Sequence, residues 1–263
     1  MKDPKENLLL YPALAIGFDY NHKDLNDIKN FKEQFHNWIH SSRQIITGLP
    51  KNKYLVSGLT DAFNQTYSLY NKIGVFDGEY GYHHLVWGDE RVTTNLDEAD
   101  VIIVSHPFSA DGMCSHERLR IADTYNKPIF VDCALFGTCT NINFDFTAYK
   151  NIHSVGFSLS KSFATGWRRV GLLYTLDKYP VSVYEQWDYP LLACAEYHYS
   201  LLTTMTPDTI ADRYRQQQLE ICTDLDLMPS NTIIFGLDYK QRYPEFLRGN
   251  VGRVCITRLF KNV

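Results

Sequence analysis

Short apolar runs alternate with amphipathic stretches along the first two-thirds of the chain. The runs at 53–58 (KYLVSG), 73–78 (IGVFDG), 99–107, 127–137, 151–162 and 168–176 read as strands. Between them, LTDAFNQTYSLYNKI (59–73) and SHERLRIADTYN (115–126) read as helices. Residues 101–104 and 129–131 are apolar without interruption, which suits strands buried on both faces. Such strands interleaved with helices predict an α/β fold, a mostly parallel sheet sandwiched by helices.

From about Tyr179 the pattern changes. YPLLACAEYHYSLLTTM (189–205) and PDTIADRYRQQQLEICTDLDL (207–227) read as helices, the second with Thr206 as N-cap and Pro207 in its first turn. NTIIFGLDY (231–239) and GRVCITRLF (252–260) read as short strands. The expected division is a large α/β domain over 1–185, an N-terminal arm over 1–50 included, and a small α+β domain over 186–263, the boundary falling near 178–190.

Composition narrows the class without choosing a function. A chain of 263 residues with 44% hydrophobic and 21% charged residues is long enough for a sizeable core. A net charge of −4 gives no footing for general binding to nucleic acid or to anionic membrane. No apolar run approaches the roughly 20 residues of a membrane span. The first residues lack a basic segment and a small-residue cleavage site, so no signal peptide is read. Six scattered cysteines without a CxxC read as idle thiols in a reducing cytoplasm, not as a metal site. The 18 Tyr and 15 Phe are too widespread to mark an aromatic ligand site.

In open parallel sheets ligands bind beyond the carboxyl ends of the strands. There the sequence offers Ser57-Gly58-Leu59-Thr60-Asp61, then Gly78-Glu79-Tyr80-Gly81-Tyr82, then 106–112, then Asp132, then Ser158-Leu159-Ser160-Lys161. Together these supply a helix N-terminus, an aromatic face, an acid and a lysine. Such a set suits a phosphorylated ligand with an aromatic, cationic ring. Each element also has a plain reading: cap, packing tyrosine, turn aspartate, surface lysine.

The stretch SLSKSFATGWRRVG resembles the Schiff-base signature of fold-type I pyridoxal-phosphate enzymes, the aspartate aminotransferase superfamily. It is most similar to the class I/II aminotransferases of the histidinol-phosphate aminotransferase type. Ser158, Lys161, Arg169 and Gly171 meet the Ser-x-x-Lys and Arg-x-Gly spacing, with Arg168 the alternative to Arg169. The resemblance implies a Schiff base on Lys161, which then shuttles a proton at the substrate α-carbon. It implies phosphate binding by Ser158, Arg169, and the amides and hydroxyl of Leu59 and Thr60 at a helix start. Asp132 would pair with the ring nitrogen and Tyr80, or else Tyr82, would stack on the ring. Arg253, in GRVCIT, would clamp a substrate carboxylate.

The pattern departs from the family at two ring contacts. Ser109 stands where an asparagine usually meets the ring hydroxyl, and Leu135 where a tyrosine does. The implied activity is amino transfer between an amino acid and a 2-oxo acid, in a cytoplasmic homodimer with active sites at the interface. Another pyridoxal-phosphate reaction (lyase, racemase, cyclase or decarboxylase) and a non-catalytic homologue stay open.

Overall fold

The computed structural model describes residues 28–165, 167–178 and 189–261. The first part of the expected arm, Gly166 and most of the expected domain boundary lie outside the described residues. Thirteen short strands are described. Ile46–Thr47 (β1) and Phe144–Asp145 (β7) form a parallel pair of their own. Seven others make the central sheet: Asn52–Val56 (β2), Ile73–Val75 (β3), Val92–Thr93 (β4), Val101–Ser105 (β5), Ile129–Cys133 (β6), Ile152–Ser158 (β8) and Gly171–Thr175 (β9). Their order is β2-β9-β8-β6-β5-β3-β4. Only β9 runs against its neighbours β2 and β8; the other pairings are parallel.

Burial on both faces explains the continuous apolar runs. Val101 and Ile103 point into one core with Phe63 and Tyr67, while Ile102 and Val104 point into the other with Phe35 and Leu172. That is the two-residue period of a strand used on both sides. The first core is covered by Leu59–Leu69 (α2), through Leu59, Phe63 and Tyr67. Tyr82–Trp87 (α3) and His116–Asp123 (α4) are short. The second core is covered partly by Ile28–His40 (α1), a helix absent from the expected elements. Its buried stripe is Phe31, Phe35, Trp38 and Ile39, each removal from water contributing about 1.5–3 kcal/mol.

Tyr189–Thr204 (α5) packs against α1. Trp38 Nε1 donates to Met205 O (2.8 Å) and Gln34 Nε2 to Leu202 O (3.4 Å). Thr209–Asp224 (α6) has Asp208 at its N-cap position, without a side-chain capping bond, rather than Thr206 as expected, and Pro207 precedes the helix. The Asp208 carboxylate instead accepts from Ser42 Oγ (2.9 Å) and Arg43 N (2.8 Å), tying the helix start to the loop after α1. A second sheet, Met228–Pro229 (β10), Phe235–Asp238 (β11), Leu247–Arg248 (β12) and Val251–Cys255 (β13), is antiparallel in the order β10-β11-β13-β12. It packs on α6 through Cys222, Leu227 and Val254. The strands expected over 231–239 and 252–260 are shorter than that: residues 231–234 turn, and Thr257–Leu259 is a 3-10 turn.

Candidate functional site

The carboxyl ends of β2, β3, β5, β6 and β8 open onto one cavity of about 530 Å³. Every site residue expected from the sequence lines it: Leu59 and Thr60 at the start of α2, Tyr80 after β3, Ser109 after β5, Asp132 on β6, Ser158 and Lys161 after β8, Arg169 before β9, and Arg253 on β13. Tyr82 and Leu135 line it too.

One end is built from helix amides, hydroxyls and a guanidinium, groups that could hold an anion. Gly58 has φ 73° and turns β2 directly into α2. Having no side chain, it leaves the first amides of that helix uncapped, and they carry the positive end of the helix dipole. Arg169 crosses over this turn: Nη2 donates to Thr60 Oγ1 (2.9 Å) and Nε to Ser57 O (3.5 Å). A Cβ on Gly58 would stand 2.7 Å from Arg169 Nη2, so the glycine is what lets the guanidinium in. Ser158 Oγ accepts from Ser160 N (3.3 Å). The Ser160 hydroxyl is buried with no partner among the described residues. A buried hydroxyl left unpaired is costly, and a phosphate oxygen would satisfy it. Arg168 points elsewhere, its guanidinium 3.8 Å from the centre of the Tyr197 ring. Between the two arginines, it is Arg169 that faces the cavity.

Lys161 and Asp132 stand in the middle. Burial pushes the Lys161 ammonium below its ordinary value, and the charges of Arg253 and Arg169 push the same way. Asp132 Oδ1 accepts from Ala134 N (2.8 Å). Burial raises its carboxyl to about 7, with the neighbouring charge of Glu79 adding to the effect and Lys161 opposing it. Sequence reasoning passed over Glu79. It lines the cavity and is buried, accepting hydrogen bonds from Ser105 N (2.8 Å), Ser105 Oγ and Tyr80 N (2.8 Å).

The far end is cationic. Arg253 donates through Nη1 to Ser109 O and lies 4.8 Å from the centre of the Phe235 ring. Burial, then the charge of Arg248, lowers its guanidinium to about 10. Arg248, also unexpected, lines the cavity, and its side chain makes no ion pair or hydrogen bond among the described residues. At the mouth Tyr80 and Tyr82 stack with ring centres 5.8 Å apart. Chemically the cavity offers an anion seat, an amine held below its usual basicity, a buried acid and a second cationic end.

No protein-family model matches the chain, and no curated protein matches it. Solved structures do. A histidinol-phosphate aminotransferase from Clostridium acetobutylicum is 15% identical, the match covering 91% of this chain and 87% of that one at a TM-score of 0.60. An aminotransferase from Staphylococcus aureus is 14% identical over 91% and 81%, TM-score 0.61. A pyridoxal-phosphate-bound C-S lyase from Staphylococcus hominis is 10% identical over 91% and 77%, TM-score 0.64. Identities this low speak for the fold. The chain has the fold of the fold-type I pyridoxal-phosphate enzymes, as the lysine stretch led one to expect.

Proposed function

We propose that the protein is a pyridoxal-phosphate-dependent aminotransferase, moving an amino group between an amino acid and a 2-oxo acid. The observation that carries this reading is the joining, in one cavity, of Lys161, Asp132 and an anion seat with an orphaned hydroxyl at Ser160. Bound there, the cofactor would supply an aldehyde carbon and a ring that withdraws electrons from the substrate α-carbon. Leu59, Thr60, Ser158, Ser160 and Arg169 would hold the phosphate. Asp132 would pair with the ring nitrogen, Tyr80 would meet the ring, and Ser109 the ring hydroxyl. Lys161, its ammonium made less basic by burial, would hold the aldehyde carbon with the carbonyl oxygen leaving as water, and its amine, when free, would move a proton at the α-carbon. Arg253 clamps the α-carboxylate. Arg248, beside it and unpaired, fits a second anionic group on the substrate side chain.

A second reading, another pyridoxal-phosphate reaction on the same residues, draws on Ser109 and Leu135. Leu135 offers no hydrogen bond to the ring, so the electronics differ from those of a site with two polar partners. We also read the protein as a homodimer. Exposed Leu85 and Trp167, by the cavity mouth or close to its lysine loop, are apolar surface that a second copy would cover. Among the described residues no helix is long and apolar enough to cross a membrane.

The test is the visible absorption of the purified protein with pyridoxal phosphate, before and after borohydride, with mass mapping. A yellow protein bleached by borohydride, the adduct on Lys161, is expected. Lys161→Ala should fold, bind the cofactor non-covalently and release no 2-oxo acid from any amino acid. A protein that stays colourless with added cofactor overturns the reading. A yellow one whose cofactor never passes to the amine form when an amino acid is added favours the second.

A further inference from the structure

Glu79 stands in an unusual place for an acid. It is buried at the ring-nitrogen end of the cavity and has no ion-pair partner among the described residues. Its two oxygens each take a main-chain N–H, Oε2 from Ser105 and Oε1 from Tyr80, both at 2.8 Å. The Ser105 hydroxyl binds Oε1 as well. Ser105 is the residue of β5 that stands opposite Asp132 on β6 in the sheet register, and the next amide, His106 N, donates to Asp132 O (2.8 Å). The Ser105 side chain also helps lower the Asp132 carboxyl, so one serine stands between two buried acids. Glu79 also ties down the backbone of Tyr80.

We propose that Glu79 is a positioning residue: an ionised second carboxylate that acts through Ser105 beside Asp132 to hold positive charge on the bound cofactor. The proposal rests on the cofactor reading above. Two amide donors, one on each oxygen, suit an acceptor-only carboxylate. Burial raises the Glu79 carboxyl, and the Ser105 and Tyr80 donors pull it back. The charged and titratable groups facing it are Asp132 from β6, Tyr67 from α2, Arg118 from α4 and Arg253 from β13. Arg118 is shared with Asp111 (3.6 Å). Arg118 offsets the Glu79 charge in part, no ion pair among the described residues neutralises it, and a cationic ring would feel it together with that of Asp132.

The experiment compares wild type, Glu79→Gln and Glu79→Asp, each loaded with pyridoxal phosphate. The readouts are the pH midpoint at which the visible band of the bound cofactor changes, and the dissociation constant. Removing a nearby negative charge makes a cation easier to deprotonate, so the Gln midpoint should fall by about one pH unit and cofactor affinity by several-fold. The Asp variant should keep the wild-type midpoint. A purely structural role would weaken affinity in both variants without moving the midpoint. Midpoints that coincide in all three proteins overturn the proposal while leaving the cofactor reading intact. A wild type that takes up no cofactor overturns both. Should Glu79→Gln misfold, Glu79→Thr, smaller and uncharged, carries the same expectation.

Discussion

The raised carboxyl of Asp132 can be tested with no cofactor present. In the cofactor-free protein the folded chain holds this proton up to about pH 7, whereas the unfolded chain releases it near 3.8. An acid with a raised folded-state value favours folding while it is protonated. Its contribution is lost as the pH climbs from about 4 to about 7. Each pH unit in that window is worth about 1.4 kcal/mol, so the full loss approaches about 4 kcal/mol. Asp132→Asn cannot ionise, yet its carbonyl can still accept from Ala134 N. Urea unfolding of both cofactor-free proteins at pH 4.5 and 7.5 reads the effect of Asp132 together with its coupling to Glu79 and Lys161, the more distant titrating groups being common to the two. The stability of Asp132→Asn relative to wild type should rise by about 3 kcal/mol between those pH values. A relative stability that changes by less than about 1 kcal/mol would refute the claim that burial keeps Asp132 protonated. Added pyridoxal phosphate should reverse the ranking at pH 7.5, because a cationic ring nitrogen needs the carboxylate.

Two further outcomes follow from the ends of the cavity. Gly58→Ala puts a Cβ 2.7 Å from Arg169 Nη2 at a backbone φ of 73°. It should cost about 1–2 kcal/mol of stability, read by urea unfolding, and weaken pyridoxal-phosphate binding at least tenfold. Arg248→Gln should raise KM about tenfold or more for an amino donor with a side-chain anion, with little change for an apolar one, as expected for a lost charge-assisted hydrogen bond.

Much of the site was legible because its parts lie at strand ends, and strand ends show in the apolar pattern. Lys161, Asp132, Arg169 and Thr60 all stand within a few residues of such an end, and the cavity gathers them. What escaped is what depends on direction and on distant neighbours. The run of β9 is as apolar as that of β6, so nothing in it tells that it runs the other way. Glu79 sits in the loop-like GEYGYH, and an acid there reads as solvated until the Ser105 amide is seen to take its carboxylate. Arg248 lies in a turn-like FLRGN and reaches the cavity only because β12 pairs with β13. The helix α1 was readable from the spacing of Phe31, Phe35, Trp38 and Ile39, a period that an expected arm did not call for. Thr206 and Asp208 are both cap residues by type, and the sequence does not show that the Asp208 carboxylate is taken by Ser42 and Arg43, far away in the chain.

The pairing of β2 with β9 also sets a timetable. Val56 lies opposite Gly171, and Trp38 bonds to Met205, so the earliest described elements close against some of the latest. At about 5–20 residues per second of synthesis, roughly ten seconds pass between the two strands. Until then β2 has no neighbour in the sheet, and the apolar stripe of α1 has no helix α5 to cover it. The nascent chain therefore carries an open strand edge and a greasy helix together until β9 is made. Chaperone demand should concentrate in that interval, before Gly171–Thr175 arrives to close the sheet.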